Sequence, residues 1–157
     1  RLGKKFPEGI IVGTRGPYGM YVVDDPTPLN QWFQKEFRKA YGTPPAQPAY
    51  QYAQGFLGAK YAYDKAAKAA GKFPTTDQVI DALTGATFPT FVGDVRMALG
   101  KGHQGVTDDM WGVTAWDKGR GEMVVKDVVK FTPECVMPPA GVKGVDWIKG
   151  GMKGAKC

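Results

Sequence analysis

Gly9-Ile10-Ile11-Val12-Gly13-Thr14 is a short β-branched run between glycines near the start of the chain. Its apolar residues follow one another instead of alternating with polar ones, which is typical of a strand buried on both faces of a parallel sheet. The run leads into Arg15-Gly16-Pro17-Tyr18, where glycine and proline indicate a loop. We therefore predict a buried strand of the parallel type, followed by a loop.

Three helices are predicted after this strand. The first begins with Thr27 as N-cap and Pro28 in the first turn, and Gly42 ends it. Its apolar residues recur at helical spacing: Leu29, Trp32, Phe33, Phe37 and Tyr41. An alanine-rich helix without proline follows over 49–70, and a capping-box pattern begins a third helix over 75–83.

The pattern changes from helix to strand after residue 90. One strand is predicted from the apolar residues Phe91, Val92, Val95, Met97 and Leu99. Two more strands over 110–116 and 123–131 are joined by Asp117-Lys-Gly-Arg-Gly121, a glycine-containing connection typical of a hairpin. The first strand has no neighbour close in sequence, so we expect polypeptide outside this sequence, or another molecule, to complete its sheet.

Composition bounds the class of protein. The chain has 157 residues, of which 43% are hydrophobic, as expected for a globular domain. No apolar run approaches the roughly 20 residues of a membrane-spanning helix. The net charge is +6, but the basic residues are spread singly, which argues against nucleic-acid binding. The sequence begins with Arg1 instead of Met, and we expect polypeptide upstream of it.

The C-terminal stretch is rich in glycine and lysine. Its lysines are Lys143, Lys149, Lys153 and Lys156. With no convincing periodicity after Pro133, this stretch is predicted to be a solvated, mobile terminus.

Residue types that carry catalysis or bind metals are scarce. Cys135 and Cys157 are the only cysteines and His103 is the only histidine, so a four-ligand zinc site is excluded. The cysteines either form a disulfide or remain two free thiols. His103 is interpreted as a polar loop residue, and the surrounding Gly100-x-Gly102-x-x-Gly105 as a chance match to dinucleotide-binding spacing, since no helix is predicted after it. We expect no metal, no cofactor and no enzymatic activity.

Aromatic residues lie near the predicted ends of elements, where open α/β sheets bind ligands. Tyr18 follows the first strand, and Tyr50 stands at the start of the long helix. Arg15, just past the strand, can pair with a ligand carboxylate or serve as a surface arginine.

The order of segments resembles the C-terminal part of type I periplasmic solute-binding proteins of ABC transporters, in the subgroup that binds branched-chain amino acids, amides, urea and aromatic acids. The similarity extends over about 6–139. It is carried by Phe6-Pro-Glu-Gly-Ile-Ile-Val-Gly-Thr14, Pro28-Leu-Asn-Gln-Trp-Phe33, Pro48-Ala-Tyr-Gln-Tyr-Ala53 and Phe91-Val-Gly-Asp-Val95 with the hairpin after it.

The resemblance implies an α/β fold that is a fragment of a two-lobe protein, with Rossmann-like lobes of parallel strands flanked by helices and a C-terminal β-hairpin. It implies that 1–26 supplies a strand and hinge segment of lobe 2, and 27–89 a helical segment packed on lobe 1. Residues 90–132 then supply a hinge strand and the hairpin of lobe 2, and 133–157 form a C-terminal tail. Since the family is more than twice as long, the N-terminal half of the same protein is expected as a partner of this chain.

The resemblance also implies a site. Together with Arg15, the expected ligand contacts are Tyr18, Ala49 and Tyr50. The expected hinge positions are Thr14, Lys101, His103 and Gln104.

The implied function is ligand capture without catalysis. Closure of the two lobes is expected to trap a small amino acid, amide or aromatic acid, which is delivered to an ABC transporter permease. The expected location is the periplasm, reached with a signal peptide that this sequence does not contain. A ligand-sensing domain of the same fold in a signalling protein is the alternative, and a small α/β enzyme that uses His103 is a third interpretation.

Overall fold

A computed structural model describes residues 2–16, 18–97, 104–139 and 141–157. The chain folds as two compact units. The first contains Arg1–Asp25 and Thr107–Cys157, and the second contains Pro26–Val106. The assignment of 1–26, 27–89, 90–132 and 133–157 to lobes of a larger protein stays a prediction.

In chain order the elements are β1 (Ile11–Arg15), α1 (Pro28–Tyr41), α2 (Gln47–Ala70), α3 (Thr76–Leu83), β2 (Thr87–Thr90), β3 (Gly93–Met97), β4 (Gly105–Val106), β5 (Asp109–Asp117), β6 (Glu122–Phe131), α4 (Pro133–Val136) and α5 (Gly144–Lys149). Single 3-10 turns lie at Gly3–Lys5 and Gly19–Tyr21.

The first unit is built on a three-stranded sheet in the order β1-β5-β6. Both pairings are antiparallel, and Ile11 lies opposite Val113. The prediction of a buried, parallel β1 is therefore wrong: β1 is an edge strand, and the Ile11 side chain is 72% exposed. Its partner comes from the same chain, about a hundred residues later, which sequence proximity cannot indicate.

The hairpin of β5 and β6 is confirmed. The Asp117 carboxylate accepts hydrogen bonds from the backbone N–H groups of Gly119 (2.8 Å) and Arg120 (3.0 Å), which fixes the turn. On β5, the buried Thr114 hydroxyl donates to the Pro7 carbonyl and accepts from the N–H of Ile10. These bonds attach the N-terminal segment to the sheet.

The second unit carries the three predicted helices, and their bounds agree closely with the bounds predicted from the sequence. The first helix, α1, begins at Pro28 and ends before Gly42, which adopts a left-handed conformation with φ of 66°. The second, α2, starts two residues earlier than predicted, at Gln47. Thr75 and Gln78 form the predicted capping box at the start of α3.

A stripe at four-residue intervals is buried on α2: Tyr50, Gln54, Gly58, Ala62 and Ala66. Glycine at 58 allows the helix to approach β2, because a Cβ there would lie 2.8 Å from Cζ of Phe88. Phe88 belongs to a cluster with Ala86, Val95 and Met97, and Tyr61 and Leu83 pack against it. This cluster joins α2 and α3 to the antiparallel sheet β2-β3-β4.

The single strand predicted from Phe91 to Leu99 is interrupted. Phe91 and Val92 lie between β2 and β3, so the chain reverses where one strand was expected, and Leu99 lies outside the described residues. Phe91 and Val92 are nevertheless buried, because the turn packs its apolar side chains inward. Hydrophobicity alone therefore did not distinguish a strand from a buried turn.

The apolar face predicted for α1 is only partly buried. Asn30 and Gln34 are the residues of α1 that are buried, whereas Trp32 is 55% and Tyr41 69% exposed. Phe33 and Phe37 are half-buried. Polar side chains thus occupy the inner position of this helix.

The C-terminal stretch is more ordered than predicted. It contains the short helices α4 and α5, and Cys135 and Cys157 form a disulfide, which is one of the two alternatives open from the sequence. Trp147 is buried, and its indole N–H donates to the Lys153 carbonyl. Over the described residues, no helix is long and apolar enough to span a membrane.

Candidate functional site

The predicted site residues are distributed over both units. Thr14, Arg15 and Tyr18 lie in the first, and Ala49, Tyr50 and Gln104 lie in the second. Lys101 and His103 lie outside the described residues.

In the first unit, Thr14 and Arg15 form the end of β1. Thr14 lies opposite Met110 and is half-buried, and Arg15 lies exposed opposite Asp109. Burial raises the pKa of Asp109, Arg15 opposes this shift, and Asp108 adds to it. Arg15 is therefore a solvent-facing cation beside a carboxylate, and an acidic ligand would have to compete with Asp109 for it.

Tyr18 is a packed residue, only 7% exposed. A Cβ on Gly16 would lie 2.6 Å from the Tyr18 hydroxyl oxygen, and Gly16 has φ of 99°, so only glycine fits under this ring. The 3-10 turn Gly19–Tyr21 follows directly, and burial raises the pKa of the Tyr21 phenol. Tyr18 and Tyr21 are therefore both packed against the first unit to some degree.

In the second unit, Tyr50 is fully buried near the start of α2. Its hydroxyl donates to Oδ1 of Asn30 at 2.9 Å. Its ring contacts Phe33 edge-on at 5.0 Å, and Phe91 at 6.4 Å between centroids. Tyr50 is therefore a core residue that offers no surface to a ligand in this structure, while its neighbour Ala49 is half-buried and Gln104 is exposed. The prediction of ligand contacts at Ala49 and Tyr50 stays a prediction.

Sequence reasoning missed the polar residues around this tyrosine. Gln54, one turn further along α2, donates to the Thr90 hydroxyl at 3.3 Å, and that hydroxyl donates to the Gly93 carbonyl at 2.6 Å. Asn30 and Gln34 of α1 are buried as well. The sequence contained a signal for these buried polar residues. Asn30 with Gln34, and Tyr50 with Gln54, are spaced four residues apart, so each pair lies on one face of its helix.

These residues form what we call the Tyr50 network, defined as Asn30, Phe33, Tyr50, Gln54, Thr90 and Phe91. It joins α1, α2 and the turn between β2 and β3. Its hydrogen bonds satisfy polar groups inside an aromatic core, so the network fixes where α2 begins relative to α1. In this network Tyr50 bonds to Asn30 and packs against Phe33 and Phe91.

Across the described ranges, no cluster of three or more His, Cys, Asp or Glu residues could hold a metal ion. The carboxylate of Asp24 pairs with the guanidinium of Arg120, and this contact raises the pKa of the arginine.

Comparison with protein families gives one match. A family described as "Periplasmic binding protein" matches residues 2–120. Comparison with curated proteins gave no match.

Several solved structures share the fold. One is an ABC-type branched-chain amino acid transporter from Rhodopseudomonas palustris, with 20% identity, a TM-score of 0.60, and coverage of 78% of this chain and 31% of that one. Another is an ABC transporter solute-binding protein from the same species in complex with 3,4-dihydroxybenzoic acid, with 17% identity, a TM-score of 0.60, and coverage of 83% and 33%. A third, also from R. palustris, is a solute-binding protein in complex with benzoate, with 24% identity, a TM-score of 0.51, and coverage of 77% and 30%. The chain therefore spans about a third of the length of these structures.

Proposed function

Because this chain belongs to the periplasmic binding protein family, we propose that it is part of the substrate-binding component of an ABC-type importer. The match over residues 2–120 is the observation that carries the proposal. The same comparisons confirm the α/β fold class predicted from the sequence. They also place the chain among binding proteins and not among enzymes.

The ligand we propose is a small carboxylate, either amino acid-like or aromatic. Two of the similar structures hold benzoate or 3,4-dihydroxybenzoic acid, and a third is named for branched-chain amino acids. All of these ligands carry a carboxylate. Arg15 supports this choice, since it is an exposed cation at the end of β1, beside the tightly packed loop of Tyr18.

Capture is proposed to occur by closure of two lobes, with hinge positions at Thr14, Lys101, His103 and Gln104. Thr14 lies in the first unit, upstream of the point between Asp25 and Pro26 where the chain crosses into the second unit. Gln104 lies two residues before the return at Val106 and Thr107. Hinge residues are commonly found where a chain passes between compact bodies.

Most of the binding protein is proposed to lie outside residues 1–157. The matched part of this chain covers 31% and 33% of two similar structures, so the rest of the ligand cleft would be supplied by other polypeptide, which we propose is the N-terminal half of the same protein. The periplasm is the proposed location, and the Cys135–Cys157 disulfide fits an oxidising compartment. The proposed protein partner is an ABC transporter permease.

Isothermal titration calorimetry on the complete protein tests the proposal. Leucine, benzoate and 3,4-dihydroxybenzoate are titrated separately, with isoamylamine and benzyl alcohol as analogues that lack the carboxylate. We expect binding of at least one acid and of neither analogue. No heat with any of the three acids would overturn the ligand class.

A matched pair of variants examines Arg15. The Arg15→Gln protein should bind the acid at least about tenfold more weakly, since a charge-assisted hydrogen bond is lost. Lys118→Gln, in the exposed β5–β6 turn of the same unit, should leave the affinity unchanged.

If the protein binds ligand but does not stimulate the ATPase of a reconstituted permease, the sensing alternative replaces the importer.

A further inference from the structure

The C-terminal segment presents a surface that the proposed function does not use. We call it the lysine patch, defined as the exposed residues Lys143, Val145, Ile148, Lys149, Met152, Lys153 and Lys156. We propose that this patch docks on an anionic phospholipid surface.

The helix α5 has one buried side and one exposed side. Trp147 is buried with its indole N–H bonded to the Lys153 carbonyl at 2.9 Å. At about 100° per residue, Val145 and Lys149 lie nearly opposite Trp147, and Ile148 lies on the flank between Val145 and Trp147. Val145 is 62% and Ile148 63% exposed. Aliphatic side chains and a lysine therefore share the outer face of this helix.

Met152 extends this apolar surface beyond α5. Its backbone has φ of 55°, an uncommon conformation for a residue other than glycine, and its N–H donates to the Trp147 carbonyl at 2.8 Å. The side chain is left 51% exposed. The Met152 side chain is therefore exposed on a backbone conformation that glycine adopts more readily than methionine.

The C-terminal segment is tied to α4 by a disulfide and a hydrogen bond. The Cys135–Cys157 disulfide ties its end to α4, and the N–H of Lys156 donates to the Glu134 carbonyl at 3.0 Å. The buried Trp147 is a second point of attachment, in α5. The exposed aliphatic residues therefore lie on a segment that is attached at two places.

Charge complementarity identifies the occupant. Residues 141–157 contain four lysines and a single acidic residue, Asp146. Lysines around exposed aliphatic side chains are typical of segments that bind anionic lipid headgroups and insert shallowly. Protein–protein interfaces instead favour arginine and exposed aromatic residues and are depleted in lysine; this segment has no arginine, and its only aromatic residue, Trp147, is buried. A lipid surface is therefore favoured over an acidic protein.

Vesicle co-sedimentation of the complete protein tests the inference. We expect binding to vesicles of phosphatidylglycerol and phosphatidylethanolamine, weaker binding as salt rises, and little binding to phosphatidylcholine vesicles. The triple variant Lys143→Gln, Lys149→Gln, Lys153→Gln should bind about 100-fold more weakly. The control triple variant Lys35→Gln, Lys39→Gln, Lys72→Gln removes the same charge from the second unit and should bind like the parent protein.

The apolar contribution has its own pair of variants. Ile148→Ser should weaken vesicle binding about tenfold, whereas Ile11→Ser, at a similarly exposed position of β1, should not. Equal losses in the two lysine triples would show a general charge effect and overturn the proposal. Absence of vesicle binding would also overturn it, and if immobilised polyglutamate then retained the protein, an acidic protein surface would be the partner instead.

Discussion

The Tyr50 hydroxyl donates a 2.9 Å hydrogen bond to the Asn30 side-chain oxygen, and neither residue has any solvent exposure. The bond joins the first turn of α2 to the first turn of α1 inside an aromatic core. It explains why a polar residue takes the inner position of α1 while Trp32 faces outward. A buried acceptor requires a donor, and the helices are placed so that Tyr50 provides it.

Replacing Tyr50 with phenylalanine should lower the free energy of unfolding by about 1 to 3 kcal/mol, because the buried Asn30 oxygen loses its tyrosine donor while the ring stays in place. Urea denaturation followed by circular dichroism measures this. The control is Tyr52→Phe, since Tyr52 is 75% exposed on the same helix and should change stability by less than about 0.5 kcal/mol. Equal effects of the two substitutions would contradict the assigned role.

The two glycines of α2 should respond in opposite directions to alanine. Gly58→Ala should destabilise by about 1 to 3 kcal/mol, because the new Cβ would lie 2.8 Å from the buried Phe88 ring. Gly55→Ala meets no atom within 4 Å and should stabilise by about 0.5 to 1 kcal/mol through helix propensity. Thermal unfolding of both variants checks the pair, and stabilisation of both would show that α2 does not pack on β2 as described.

Two aspartates should shift the pH dependence of stability in opposite directions. The pKa of Asp109 is raised, chiefly by burial, so its favourable contribution is present at low pH and is lost as pH rises through the folded-state pKa. Asp109→Asn should therefore gain stability relative to the parent as pH rises above about 4. The pKa of Asp117 is lowered, first by the Arg120 backbone N–H and also by that of Gly119, so its contribution is present above its ordinary pKa and lost in acid.

Asp117→Asn should accordingly lose stability relative to the parent over the same pH range. Urea unfolding between about pH 3 and pH 7 on both variants gives the two slopes. Slopes of the same sign would contradict the environments described for these carboxylates.

Reduction of the disulfide should loosen the C-terminal segment specifically. The bond closes a loop over a sequence separation of 22 residues, and such a cross-link contributes about 3 kcal/mol in the chain-entropy account. After reduction, trypsin should cut at Lys149 and Lys153 much faster, as mass spectrometry of the fragments would reveal. Cleavage at Lys68 and Lys72, in the other unit, serves as the control and should keep its rate.

The helices were predictable from the sequence because local chemistry determines their ends. Pro28 and Gly42 bound α1, and Thr75 with Gln78 begins α3, through interactions within a few residues of each other. The β5–β6 turn is local in the same sense, since Asp117 binds the backbone of its own turn.

The remaining features depend on contacts between distant residues. The antiparallel partner of β1 is about a hundred residues away, and its apolar run resembled a buried parallel strand although Ile11 is exposed. The inner position of Asn30 depends on Tyr50, twenty residues later. In the site, Tyr18 and Tyr50 were chosen for their place at element ends, but their burial depends on packing that no local pattern encodes.

Small-angle X-ray scattering on the complete protein, with and without the carboxylate that calorimetry identifies, tests capture by lobe closure. Capture by lobe closure predicts a smaller radius of gyration in the ligand-saturated protein, and Arg15→Gln should require more ligand to reach it. A radius of gyration that stays the same at ligand saturation would contradict closure as the mechanism of capture.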